Sequence, residues 1–133
     1  MIPNANLSRV GYHIGGAMPL RLQFFTIRYV PNILAERSMS IGVVLFDPTG
    51  GFSGVRFLKD WKQVLVFDPY ADILVLEALA RDIERQFRTG KGEEILRIME
   101  DSFSNAVQLS PGEVCSVDDP AMAIEELASR YLG

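Results

Sequence analysis

The chain has 133 residues, of which 48% are hydrophobic and 23% are charged, and this composition excludes a globally disordered protein. Its length suits one domain whose core needs no disulfide or metal for stability. Cys115 is the single cysteine, so no intrachain disulfide can form and no oxidising compartment is implied.

The first 19 residues are rich in Asn, Ser and Gly and show no apolar period. We therefore expect residues 1–19 to be an extension outside the fold and residues 20–133 to form a single α+β domain. The extension lacks the apolar run of a signal peptide, and the dense apolar run Ile41–Phe46 is far too short to span a bilayer. These features predict a cytoplasmic protein without a membrane-spanning segment. They do not decide whether the native start is Met1 or Met18.

Three segments in the first half have the composition of β-strands. Arg21–Val30 is rich in aromatic and β-branched residues. Ile41–Phe46 is apolar at nearly every position, which predicts burial on both faces, and Gly42 within it predicts a bulge or a close backbone approach. The turn Asp47–Gly51 leads to a third segment, Phe52–Lys59, so the last two strands should pair as an antiparallel hairpin.

The second half has the periodicity of helices. Asp68-Pro69 predicts the start of a long helix that ends at Gly90. Its inward stripe contains Ile73, Leu76, Leu79, Ala80, Ile83 and Phe87. A second helix over about 93–103 and a short strand over 106–109 follow.

Asp119-Pro120 then predicts the start of the last helix. Its inward residues are Ile124, Leu127, Ala128 and Tyr131. Strands followed by helices predict an α+β fold, with a small antiparallel sheet of about three to four strands covered on one face by the C-terminal helices.

The residues of common catalytic sites are missing or isolated. His13, in the predicted extension, is the only histidine, which excludes the usual Ser-His-Asp and Cys-His constellations and paired-histidine metal sites. Cys115 is interpreted as a small buried hydrophobe. The segment Thr89–Gly92 lacks the upstream glycine and the final Ser or Thr of a phosphate-binding loop. The sequence thus predicts no metal, no cofactor and no self-sufficient catalytic site.

The charge is divided unevenly along the chain. Residues 1–62 hold seven Lys/Arg and three acids, a net charge of +4, whereas the remainder holds six bases and fourteen acids, a net charge of -8. This is either ordinary solvated charge or a basic face able to meet an anion or an acidic partner. Because the chain is acidic overall, plain nucleic-acid binding is disfavoured.

Five polar positions around the predicted strands lack an evident structural role and are the candidate binding residues: Arg28, Glu36, Arg37, Ser40 and Arg56. Arg28 and Arg56 lie within strands, among residues that should pack. One interpretation is that a sheet face is wet, or that an internal ion pair such as Arg28–Glu36 satisfies the charges. The other is that the guanidinium groups form a site for an anion or a partner.

The same positions carry a resemblance to a known family. Arg28-Tyr29-Val30-Pro31, then Glu36, then Ser40 to Phe46 resemble the opening of an uncharacterised bacterial family, catalogued as domain of unknown function 3037. Val107 to Pro111, followed by Asp119-Pro120 and an amphipathic helix, is similar to the close of that family. The resemblance extends from about Leu22 to Leu132. Ser40 departs from it, because the family usually has Asn there and Asn makes more hydrogen bonds than Ser.

The resemblance implies a small bacterial protein, of a kind often encoded beside kinases similar to the HipA toxin family. By association it implies a protein partner, such as a HipA-like kinase, and a non-enzymatic binding or accessory role. The alternative is an enzyme or enzyme subunit that acts on a phosphate-containing or nucleic-acid substrate through the Arg/Glu cluster of Arg28, Glu36, Arg37 and Arg56. The missing catalytic constellation favours the first hypothesis.

Overall fold

The structure is a computed structural model, and it describes residues 20–31, 37–102 and 107–133. These residues form five strands: β1 (Leu20–Tyr29), β2 (Met39–Phe46), β3 (Ser53–Phe57), β4 (Val107–Leu109) and β5 (Glu113–Val117). They also form four helices: α1 (Lys62–Phe67), α2 (Ile73–Arg88), α3 (Gly92–Ser102) and α4 (Pro120–Leu132). The predicted α+β class is confirmed, with slightly more strands than expected.

The sheet is antiparallel and has β1 near its centre. Its order is β3-β2-β1-β4, and β5 also pairs with β1. β5 pairs with the first half of β1, from Leu20 to Phe24, and β4 pairs with the second half, from Ile27 to Tyr29. The predicted hairpin is present, because β2 and β3 pair across the turn that contains Asp47.

A short break separates β4 from β5, and Ser110 bridges it to β1. The Ser110 amide donates to the Thr26 carbonyl at 2.9 Å, and the Thr26 amide donates to the Ser110 hydroxyl oxygen at 2.8 Å. Thr26 is buried, so its backbone groups need such partners where the ladder is interrupted. β4 and β5 therefore act as one interrupted strand along β1.

Gly42 marks an irregularity in β2, as the sequence predicts. Ile27 lies opposite Gly42 but Arg28 lies opposite Ser40, so the register shifts between these two pairs. A Cβ atom at Gly42 would lie 2.9 Å from the Phe57 ring, closer than side chains tolerate. The Phe57 ring that packs on this position is thus what requires a glycine here.

The sheet is covered by helices on both faces, and the expectation of cover on one face was wrong. On one face, Phe25, Ile27 and Val44 pack in a core with α1, α2 and α3; we call this the α1–α3 side. On the other, the alternate residues Val43 and Leu45 pack in a second core with α4, which defines the α4 side. The reason is the apolar run Ile41–Phe46 in β2, whose large side chains are divided between the two cores.

The long helix begins later than expected. The Asp72 carboxylate accepts a hydrogen bond from the Val75 amide and caps α2, whereas the sequence pattern favoured Asp68. The Asp68 carboxylate instead accepts a hydrogen bond from the Tyr29 hydroxyl at 2.6 Å. The inward stripe of α2 is confirmed, since Leu76, Ala80, Ile83 and Phe87 are buried.

The remaining expectations have mixed outcomes. Asp119 caps α4 through the Met122 amide, as predicted, but Tyr131 near its end is 40% exposed instead of buried. The strand β5 was not anticipated. The proposed extension, residues 1–19, lies outside the described residues.

No helix in the described ranges is both long enough and apolar enough to cross a membrane.

The first prediction concerns the core under α2. Truncating Ile83, which has no exposed surface, to Ala should lower the free energy of unfolding by about 2–5 kcal/mol, because it leaves a cavity between α2 and the sheet. Urea denaturation measures this change. The matched control is Leu74→Ala on the same helix, where the side chain is 78% exposed and the loss should stay below about 0.5 kcal/mol. Equal losses in the two variants would contradict the assigned helix face.

The second prediction concerns the hairpin turn and pH. The Asp47 carboxylate accepts hydrogen bonds from the hydroxyl and amide of Thr49 and from the Gly51 amide, and these bonds lower its pKa. A lowered pKa means that stability is present above the unfolded-state pKa of about 3.9 and is lost as the pH falls through the folded-state value. The Asp47→Asn variant should therefore lose less stability than the wild type between pH 6 and acidic pH in denaturation experiments. Glu126→Gln, at an exposed position of α4, should leave the wild-type pH profile unchanged.

Candidate functional site

Arg28 and Ser40 face each other at the bulged end of the β1–β2 pair. They are direct partners in the register, and Arg28 alternates with Phe24 onto the α4 side. The Arg28 side chain is exposed, and its Nε donates to the Thr26 hydroxyl oxygen at 3.3 Å. This part of the sheet face is therefore solvent-exposed at Arg28, as the first of the two interpretations of the polar positions predicts.

Arg56 lies on the edge strand β3 and is held by an acid on α4. Its Nε donates to the Glu125 carboxylate at 2.8 Å, and a terminal nitrogen donates to the Val55 carbonyl at 2.8 Å. Both side chains of the pair are about half exposed, so the pair contributes roughly 0–1 kcal/mol to stability. Its main effect is to fix the position of the guanidinium group between β3 and α4.

Arg37 lies away from the other two arginines, on the side of α1. Its guanidinium carbon is 4.7 Å from the centroid of the Phe67 ring, within the range of a cation–π contact. Phe67 packs against the core of the α1–α3 side. Glu36 lies outside the described residues. The structure thus brings Arg28, Ser40 and Arg56 to the α4 side of the sheet and separates Arg37 from them, and a binding role for these residues stays a prediction.

A pocket of about 390 Å³ opens beside Arg56, where β3, the start of α1 and the end of α4 meet. Its polar lining is formed by Arg56, Lys59, Asp60, Gln63, Glu125 and Ser129. We call it the β3–α4 pocket. Its volume falls in the range of roughly 300–1,000 Å³ that is typical of small-molecule sites.

A second feature is a set of exposed large apolar side chains that lie close together in the sequence, from the second half of α1 to the first turn of α2. It consists of Leu65, Val66, Tyr70, Leu74 and Val75, and we call it the apolar patch. Val66 is 87% exposed and Tyr70 is 95% exposed, values that are unusual for large apolar or aromatic residues. Half of the ten large hydrophobic residues that are exposed in the described part of the chain fall within these eleven positions.

A part-buried hydrogen bond connects the sheet to the segment that carries the apolar patch. Tyr29, at the end of β1, is 8% exposed, and its hydroxyl donates to Asp68 Oδ2 at 2.6 Å. Asp68 Oδ1 accepts from the Tyr70 amide at 3.1 Å. The carboxylate therefore connects the sheet to the turn that presents Tyr70 to solvent.

The apolar patch was missed at the sequence level although a signal for it exists. A stripe of helical period accounts for Leu76, Ala80 and Ile83, but it leaves the adjacent Leu74 and Val75 without an inward position. In α1, similarly, only Val64 is buried, while Leu65 and Val66 point outward. The excess of apolar residues over what one stripe can bury is the signal.

The lone thiol offers no reactive site. Cys115 is buried in the core of the α4 side, and burial, with a smaller effect of Glu113, raises its pKa to about 11. A thiol with a raised pKa carries little of the nucleophilic thiolate at neutral pH. Among the described residues, no group of three or more His, Cys, Asp or Glu side chains is arranged to hold a metal ion.

The fold and these surfaces define a small α+β protein whose antiparallel sheet lies between two helical layers, with a mixed-charge pocket at the start of α1 and an apolar patch from α1 to α2. Comparison with family models assigns the chain more closely. The model described as "Protein of unknown function (DUF3037)" matches residues 24–132, so the chain belongs to that family. No curated protein and no solved structure matches the chain.

The third prediction concerns the Tyr29–Asp68 hydrogen bond. Tyr29→Phe should lower the free energy of unfolding by about 1.5–3 kcal/mol, because a hydrogen bond to a charged group is lost and Asp68 keeps its partial burial. Chemical denaturation at pH 7 measures the loss. Tyr70→Phe is the matched control, since the Tyr70 side chain is 95% exposed, and it should change the free energy by less than about 0.5 kcal/mol.

The same bond has a consequence at alkaline pH. Burial, with the hydrogen bond to Asp68, raises the pKa of Tyr29 to about 12 from its usual value of 10.0. A raised pKa stabilises the fold fully below pH 10, and this contribution is lost as the pH rises toward 12. The wild type should therefore lose more stability than Tyr29→Phe as the pH rises through this window. Parallel pH profiles for the two proteins would contradict the assignment.

Proposed function

We propose that this protein is a non-enzymatic, cytoplasmic bacterial binding module, and that the apolar patch is its contact surface for another protein. The apolar patch carries the proposal. Contiguous exposed apolar side chains are uncommon on monomeric proteins and are typical of sites of protein association.

The residue types in the apolar patch are those found at protein interfaces more often than on surfaces that stay in contact with solvent. Aromatic residues are enriched at interface centres, where a Tyr supplies a large contact area at a low entropic cost. Tyr70 is the aromatic residue of the patch, and Leu74 and Val66 supply aliphatic surface around it. Arg37 lies next to this region over the Phe67 ring, and a rim cation of this kind suits the edge of an interface.

We propose that the partner is a HipA-like kinase, as the family resemblance implies, and that the protein is accessory to it. Two points support this proposal: the association that the family resemblance implies, and the exposure of the apolar patch. On this proposal, the partner contacts the apolar patch through an apolar surface of complementary shape.

The alternative function, chemistry on a phosphate-containing or nucleic-acid substrate, has weaker support. It needs the charges of the Arg/Glu cluster to meet at one place. Arg28 and Arg56 share the α4 side, but Arg37 contacts Phe67 on the α1–α3 side, and Arg56 is engaged by Glu125. This division favours binding through the apolar patch.

The fourth prediction tests the apolar patch. In isothermal titration with a HipA-like kinase, Tyr70→Ala and Leu74→Ala should each weaken binding by about thirtyfold, as expected when a central interface residue is truncated. Melting temperatures should stay within a few degrees of the wild type, because both side chains are exposed and carry little of the core.

The matched control is Met122→Ala on α4, where an apolar side chain of similar size is 56% exposed outside the apolar patch. It should bind as the wild type does. If the kinase does not bind, affinity capture from a native lysate with the same three variants identifies whichever partner depends on Tyr70 and Leu74. A complex that all three variants retain equally would show that the apolar patch is not the contact surface.

A further inference from the structure

The outer edge of β3 has no partner strand in the described part of the chain. The sheet order is β3-β2-β1-β4, so among the described residues β3 pairs only with β2. The β3–α4 pocket lies on one side of this strand, and a smaller hollow of about 190 Å³, lined partly by α2, lies on the other. An open edge of this kind can pair with a strand of another chain, and proteins that stay monomeric protect such edges.

The register of the hairpin shows which backbone groups of β3 point outward. The Leu58 amide donates to the Ile41 carbonyl at 3.0 Å, so these two residues form a hydrogen-bonded pair at the end of the β2–β3 ladder. Hydrogen-bonded and non-bonded pairs alternate along an antiparallel ladder, so every second residue of β3 turns its N–H and C=O groups away from β2. These residues are Ser53, Val55 and Phe57.

Arg56 covers the acceptor in the middle of this edge. One terminal nitrogen of its guanidinium group donates to the Val55 carbonyl at 2.8 Å. The Nε of the same group donates at 2.8 Å to the carboxylate of Glu125, which lies 69 positions away on α4. Because two charge-assisted hydrogen bonds hold the guanidinium group at the edge, an incoming strand must displace it before its own amide can reach Val55.

The outward groups of β3 are complementary to those of a second copy of the strand. In a two-fold antiparallel pair centred on Val55, the two Val55 residues exchange two hydrogen bonds, and Ser53 of each copy pairs with Phe57 of the other. Every outward N–H and C=O group then has a partner. Since the Val55 carbonyl accepts one of the two central bonds in each copy, the Arg56 guanidinium groups block both central bonds.

We infer that the Arg56–Glu125 ion pair prevents the chain from dimerising through β3. Arg56 occupies the central acceptor of the edge, and Glu125 is a positioning residue that keeps the guanidinium group there. The occupant that this arrangement excludes is β3 of a second copy. The inference concerns a different surface from the apolar patch and does not rest on the proposed function.

Sedimentation velocity of the full chain over a series of concentrations tests the inference. Arg56→Ala should dimerise about thirtyfold more tightly than the wild type, because the two central hydrogen bonds become available. Glu125→Gln leaves Arg56 in place but removes the charge that holds it, so it should strengthen dimerisation by a smaller factor. Both side chains are about half exposed, so the melting temperatures of the monomers should stay within a few degrees of the wild type.

Two further variants show whether the edge itself is responsible. Arg88→Ala is the matched control, because it removes the same charge from the hollow between β3 and α2, and it should dimerise no more tightly than the wild type. Ser53→Pro, added to Arg56→Ala, removes an outward N–H group at an exposed position and should return dimerisation to the wild-type level. Proline is tolerated there because the lost N–H group faces away from β2.

Amide hydrogen exchange locates the contact. In the Arg56→Ala dimer, the amides of Val55 and Phe57 should exchange more slowly than in the monomer, since they become hydrogen-bonded. The inference is overturned if Arg56→Ala dimerises no more tightly than the wild type, if Arg88→Ala has an equal effect, or if these two amides keep their monomer exchange rates. Adding Tyr70→Ala to Arg56→Ala should leave the dimer intact. A dimer abolished by Tyr70→Ala would form through the apolar patch, which overturns this inference and leaves the proposed function in place.

Discussion

The burial of β2 on both faces is the constraint on which the remaining architecture depends. All six residues from Ile41 to Phe46 are buried, and apart from the bulge they alternate between the two cores. Complete burial of one such side chain contributes roughly 1.5–3 kcal/mol, so leaving one face of β2 in water would cost several times that amount. Two helical layers follow from this requirement: α1 to α3 cover one face, and α4 covers the other.

The central position of β1 imposes a second requirement, which is that the backbone groups on both of its edges be hydrogen-bonded. A central strand must have its backbone groups paired on both edges. β2 pairs with one edge, and the other is shared by β4 and β5, which come from the C-terminal part of the chain. Ser110 closes the gap between these two strands with one backbone and one side-chain hydrogen bond to Thr26. The sheet therefore joins the beginning and the end of the fold.

The two candidate surfaces arise from how the helices meet this sheet. Their layers bury one stripe of each helix, and the turn after α1 is fastened to β1 through Tyr29 and Asp68, which leaves Tyr70 in solvent. At the start of α1, the end of α4 and the strand β3 leave a pocket whose lining includes the Arg56–Glu125 ion pair. The described part of the chain thus presents one apolar and one mixed-charge surface on the same sheet-and-helix framework.

The sequence by itself determined the features that depend on neighbouring residues. Alternation and turn chemistry predicted β1, β2 and the hairpin to β3, and helical period predicted the stripe of α2 that contains Ile83. Gly42 indicated an irregularity in β2, because a glycine inside an apolar strand is typical of a bulge or of a close approach by another group.

Only the tertiary structure decided the features that depend on distant partners. These are the cover of the second sheet face by α4, the pairing of β5, the use of Asp68 by Tyr29 and the contact between Arg56 and Glu125. Of the predicted binding positions, Arg28, Ser40 and Arg56 share one side of the sheet. Arg37 contacts Phe67 instead, and this contact could not be predicted from its position in the sequence. The physical reason is that periodicity specifies which face of an element is apolar, whereas the element that covers that face is selected by packing between segments far apart in the chain.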